Sequence, residues 1–184
     1  MLETTENKVN FRLKLGLIFI PIVLFSQFFH EFGHWSMGEI LGYDMKFGFN
    51  LVGLKDGEFV GNSELFMTMG GTFATFFLAL LFWFGIEKFK SIYLYPGIFY
   101  NFFFRLIAQF LNFEGQDEAK ISAFLGIGKY TITIIVLGLL LLITWRASRV
   151  LKLNYKDNLV CVSASIVGVG FILIIDYLLI LWFN

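Results

Sequence analysis

His30, Glu31 and His34 form the sequence His-Glu-Phe-Gly-His, and they are the residues with the clearest chemical capacity in the chain. Residues four apart on a helix share a face, with Cβ atoms about 6 Å apart. Two imidazoles placed that way can hold one zinc ion at about 2.0–2.1 Å each. A carboxylate beside the first of them can take a proton from water that the ion has acidified, and later return it to a leaving amine. His30 and His34 are therefore the expected metal ligands, Zn2+ the expected cofactor and Glu31 the expected general base.

The chain has only two histidines, and both fall inside this motif. A membrane di-iron desaturase or hydroxylase needs many more, so two histidines exclude that class. A catalytic zinc keeps three protein ligands and an open position, so a further group must complete the site. Cys161 lies near the start of the last apolar segment, on the expected cytoplasmic side and so far from His30, and a buried small residue is the better reading of it. A lone cysteine also forms no intrachain disulfide. The acids Glu39, Asp44, Glu64, Glu114, Asp117, Glu118 and Asp176 remain. Depth favours those in the segment after the third apolar run: Asp117 first, then Glu118, then Glu114.

The elements that must position these groups are apolar. Of 184 residues, 58% are hydrophobic and 15% charged, with 25 Phe; mean hydropathy is +0.76. Soluble domains carry about 25% charged residues. Five segments approach the roughly 20 residues that cross a bilayer: about 15–41, 65–86, 92–113, 123–145 and 158–183. No repeat or linker divides them. The expected fold is an all-α polytopic membrane protein, residues 1–184 forming one domain, with the lipid bilayer as solvent. Net charge is zero and no basic stretch suggests a nucleic-acid partner. The apolar run from Leu15 lacks a small-residue cleavage site and carries the motif, so it reads as a retained span rather than a signal peptide. Nine Lys and Arg residues in loops on the N-terminal side oppose four on the other. This places the N-terminus in the cytoplasm of a multi-pass protein, with the site nearer the outside.

Between the first two spans the texture changes. Phe47, Phe49 and Leu51 alternate with Gly48, Asn50 and Val52, and Asp56-Gly57 is a favoured turn, so a β-hairpin is expected within Asp44–Gly61. Arg105 and Asp176 lie inside spans, where charges pair or line cavities. The two can pair with one another; alternatively Arg105 binds substrate or Asp176 binds metal. Asn101 and Gln109 lie on the same face as Arg105. Gly16, Gly33, Gly38, Gly70 and Gly71 are read as close-packing positions between helices.

His30-Glu31-Phe32-Gly33-His34-Trp35, followed by Leu41-Gly42, resembles the site-2 protease family of intramembrane zinc metalloproteases. Gly70-Gly71-Thr72-Phe73-Ala74-Thr75 is similar to that family's Gly-Gly-Pro-x-Ala-Asn element. Gly115-Gln116-Asp117-Glu118 is similar to its third-ligand element. Thr72, Thr75 and Glu118 depart from the family's Pro, Asn and Gly. The resemblance covers about residues 28–122. It implies Asp117 as the third zinc ligand and hydrolysis of a peptide bond in a membrane-embedded or juxtamembrane protein or peptide. It also implies a hairpin that pairs with the unwound substrate. A non-proteolytic zinc-binding membrane protein with a regulatory or scaffold role is the alternative from a different class.

Overall fold

A computed structural model describes residues 5–183. The order is α1 (Thr5–Ile40), β1 (Met45–Lys46), β2 (Gly53–Leu54), α2 (Ser63–Phe89), a short 3-10 turn (Ile92–Leu94), α3 (Tyr95–Leu111), α4 (Asp117–Leu125), α5 (Thr131–Val150) and α6 (Tyr155–Phe183). Among the described residues, α1, α2, α5 and α6 are long and apolar enough to cross a membrane. The third expected span is α3. It has 17 residues, fewer than the roughly 20 that a span requires, and its first turns (Tyr95–Tyr100) are buried in the bundle.

Backbone chemistry sets the boundaries. At the end of α2, Lys90 takes a left-handed φ of 52° and donates its amide to Ile86. Pro96 lies in the first turn of α3, where a missing amide hydrogen costs little. The fourth expected span, 123–145, is displaced to Thr131–Val150. Ala123, Phe124 and Leu125 belong instead to the short α4, which Gly126 (φ 64°) terminates. Helix α6 begins with a reciprocal cap. The Asn154 carboxamide oxygen accepts from the Lys156 and Asp157 amides at 2.9 and 3.1 Å, and Asp157 accepts from the Asn154 amide at 3.1 Å. Asp157 also accepts from Arg12 Nε at 3.1 Å, tying α1 to the start of α6.

The two strands do form a hairpin within Asp44–Gly61, with a different register from the alternation in the sequence. Met45 pairs with Leu54 and Lys46 with Gly53. Residues 47–52, expected as strand, form the connection, and Asp56-Gly57 lies beyond the ladder. The chain folds back so tightly that a Cβ on Gly48 would overlap the Leu51 carbonyl.

Leu15, Phe19 and Val23 of α1 pack with Ile86 of α2, Ile98 and Phe99 of α3, Ile143 of α5 and Cys161 and Ile172 of α6. Cys161 is buried and free. On the outside, Ile134, Leu142 and Trp145 of α5 and Leu173 and Ile174 of α6 are exposed, apolar surface of the kind lipid covers.

Helices α1 and α2 cross at glycines. A Cβ on Gly33 would come within 3 Å of the Gly70 carbonyl and the Ala74 methyl; one on Gly70 would overlap the Gly33 carbonyl. The obstacle is backbone, which cannot swing away. Gly33→Val is expected to cost more than the about 1–3 kcal/mol of ordinary overpacking. Its readout is loss of the monodisperse peak in detergent size-exclusion chromatography, with Gly53→Ala, which meets open space, as the control.

Candidate metal centre

His30 and His34 lie on α1 where it crosses α2, and both rings turn toward α2. The Gly71 carbonyl lies 2.9 Å from His30 Nδ1, with Thr75 Oγ1 at 3.0 Å. The Met67 carbonyl lies 2.9 Å from His34 Nδ1. A carbonyl only accepts, so each Nδ1 carries its proton and donates. Each Nε2 is then left with a free lone pair, the tautomer a metal requires.

The two Nε2 atoms approach to 3.1 Å. Asp117 Oδ2, from the first turn of α4, lies 3.4 Å from His30 Nε2 and 3.2 Å from His34 Nε2. A tetrahedral ion bonded at about 2.0–2.1 Å separates its ligand atoms by about 3.3–3.4 Å, and the observed triangle has that size. Asp117 Oδ2 is buried without a hydrogen-bond partner. One proton can bridge two of these three acceptors, not all three. The Arg105 guanidinium, whose Nη1 lies 3.6 Å from Asp117 Oδ2, favours the ionised carboxylate. Three converging lone pairs, one of them on an anion, suit a cation.

Charge gives a second test. Glu31, Arg105 and Glu118 are buried around the triangle. Glu31, Asp117 and Glu118 bring three carboxyl groups to one guanidinium and two imidazoles, so acidic side chains outnumber the cationic one. Uncompensated charge at such depth is expensive, and a divalent ion balances it. The donor set of two imidazoles and one carboxylate could hold a transition-metal dication, zinc among them.

Gly71 makes the rings' position possible. A Cβ there would overlap His34 Nε2 and come within 3 Å of the His30 ring. This role goes beyond the packing function read from the sequence. Glu31 is held beside the site by Gln27, whose Nε2 donates to Oε1 at 2.9 Å. Gln27 escaped the sequence reading, although its place four residues before Glu31 puts the two on one helix face.

The other candidate acids are elsewhere. Glu39 accepts from the Met45 amide at 3.0 Å, Asp44 pairs with Lys55 at 2.6 Å and Glu114 with Lys129 at 2.8 Å. Glu64 lies in the first turn of α2. Asp176 joins no ion pair among the described residues, so the Arg105–Asp176 pair is corrected. Arg105 instead faces Asp117 and Glu118, each at 3.6 Å. The reason is position: α4 packs against α2 and α5, and its first turn brings Asp117 and Glu118 to Arg105. Glu118 Oε2 also accepts from Gln109 Nε2 at 3.3 Å.

A cleft of about 440 Å³ opens onto the triangle, within the range of small-molecule sites. Gln27, Asn50 and Gln116 supply polar lining, and Phe104, Leu111 and Ile172 an apolar wall from α3 and α6. Asn50, Leu51 and Val52 of the hairpin connection border it. No known protein family, curated protein or solved structure matches the chain.

Proposed function

We propose that this chain is an integral membrane zinc metallopeptidase of the site-2 protease kind. In this reading His30, His34 and Asp117 hold the ion, and Glu31 serves as general base. The carrying observation is the triangle of Nε2, Nε2 and Oδ2 atoms at 3.1–3.4 Å, with Glu31 next to His30 in the same cleft.

When bound, zinc supplies Lewis acidity: it lowers the pKa of water toward about 7 and polarises a carbonyl. The protein's own groups do the rest. Gln27 donates to one oxygen of Glu31 and so fixes the carboxylate while the other oxygen takes a proton from water. The water oxygen bonds to the carbonyl carbon of the peptide. The carbon–nitrogen bond then breaks, and Glu31 returns its proton to the departing amine. One water is consumed, and a carboxylic acid and an amine result.

The hairpin supports a peptide substrate. Residues 47–52 make no backbone–backbone hydrogen bond among the described residues, and three of them border the cleft. Their free amides and carbonyls can hold a peptide extended by strand addition, which a helical membrane segment needs before its peptide bonds can be attacked. The four long apolar helices support a multi-pass membrane setting, and the loop charges support a cytoplasmic N-terminus.

The test uses purified full-length protein in lipid nanodiscs with fluorescein-labelled casein, an unfolded substrate, together with mapping of new N-termini in a solubilised membrane proteome. Cleavage is expected to stop with 1,10-phenanthroline and to return when zinc is restored. New N-termini that persist unchanged through chelation, or none in either assay from zinc-loaded protein, would overturn the proposal.

A further inference from the structure

Arg105 is almost fully buried, at 4% exposure, yet its guanidinium is poorly satisfied. Its Nε lies 3.6 Å from Glu118 Oε1 and its Nη1 3.6 Å from Asp117 Oδ2. Both distances exceed a good hydrogen bond, and both acceptor oxygens lack a hydrogen-bond partner. Nη2 lies 2.6 Å from His30 Nδ1 and 2.9 Å from Nε2. An atom so close to both nitrogens sits over the face of the ring, out of line with the in-plane Nε2 lone pair. Nη2 also contacts Thr75 Oγ1 at 3.4 Å. Glu118, itself held by Gln109, backs the guanidinium at its Nε edge. The Nη edge faces the metal triangle and the cleft.

A cation beside the ligands of another cation is unfavourable if metal binding is the site's whole purpose. Electrostatic economy would place a neutral group there. A buried guanidinium whose Nη donors lack good acceptors suits a site where negative charge develops only during reaction.

We propose that Arg105 is a second catalytic residue of this site: its Nη groups bind the carbonyl oxygen of the peptide and stabilise the negative charge that forms on it as water attacks. Glu118 is a positioning residue that fixes the guanidinium. The inference rests on the hydrolytic reading above. It separates Arg105 from a mere counter-ion through the metal. Removing the guanidinium takes away a positive charge beside the ligands, so the divalent ion is held at least as tightly.

The experiment compares wild-type protein with Arg105→Gln, Arg105→Lys and Glu118→Gln in nanodiscs. The probe is a phosphinic dipeptide with leucine on both sides of phosphorus, whose charged oxygens mimic the attacked carbonyl. Binding is read by isothermal calorimetry, zinc by mass spectrometry and casein cleavage in parallel. Arg105→Gln is expected to keep its zinc and to lose about 10²–10³-fold in phosphinate affinity and in kcat, the loss typical of removing one oxyanion donor. Arg105→Lys keeps a charge opposite Glu118, guards against misfolding and restores part of both. Glu118→Gln is expected to weaken phosphinate binding with zinc unchanged, a split that a role in folding alone does not produce. Unchanged phosphinate affinity in Arg105→Gln overturns the proposal. So does zinc-loaded wild-type protein that fails to bind the probe, or loss of zinc in both Arg105 variants. Arg105-dependent phosphinate binding without casein cleavage supports the grip of Arg105 on the oxygen and sinks only the hydrolase reading.

Discussion

Glu31→Gln is expected to retain zinc and to lower kcat about 10²–10⁴-fold, the share a positioned general base contributes. Glutamine has nearly the same shape and still meets Gln27, so the helix face and the imidazoles stay in place. It cannot accept the proton that must leave the water. The loss should therefore fall on kcat, with KM little changed, as for an interaction made only on the way to the transition state. Stopped casein cleavage at full zinc occupancy is the expected pair of readings. Cleavage by Glu31→Gln at the wild-type rate would exclude Glu31 as the base.

Gly71→Ala is the second large effect, and it acts on the metal rather than on the base. The added methyl overlaps His34 Nε2, the atom proposed to bind the ion, and crowds the His30 ring. Both rings must swing, and in doing so they leave the Met67 and Gly71 carbonyls that set their tautomers. Altering a single supporting hydrogen bond costs about 10–100-fold in metal affinity. Displacing two ligands at once should exceed that. Competition titration against a zinc chelator reads the change, and circular dichroism checks that the helices persist. Zinc affinity within a few-fold of wild type would show that the rings are not held where the structure puts them.

How much of this was legible in the sequence depends on range. The helical pair His30 and His34 is local: a spacing of four fixes a shared face without knowledge of the rest of the fold. The apolar helices were equally visible, because a run of apolar residues needs no partner to declare itself. Longer range was harder. The Asp117 carboxylate could be ranked but not separated from Glu118 by spacing, since both sit in one loop-to-helix turn. The structure turns Oδ2 of Asp117 to the imidazoles and gives Glu118 to Arg105. The expected Arg105–Asp176 pair failed because depth along two helices says nothing about which faces meet. The hairpin register failed because Phe47–Val52 alternates like a strand, whereas its tight fold-back at Gly48 depends on backbone geometry. The start of the fourth span slipped because Gly126 ends one helix inside an apolar run. Gly71 read as packing because a cradle for a ligand and a contact between helices both demand the absence of a side chain.

Metal content is the most direct check on the centre. Full-length protein purified in detergent without added metal, then wild type, His34→Ala and Asp117→Ala side by side, are to be measured by inductively coupled plasma mass spectrometry. One zinc per chain is expected in the wild type, with loss from both variants while each still elutes as a folded species. No zinc in folded wild-type protein after incubation with equimolar zinc, or full zinc in Asp117→Ala, would contradict a centre built from His30, His34 and Asp117.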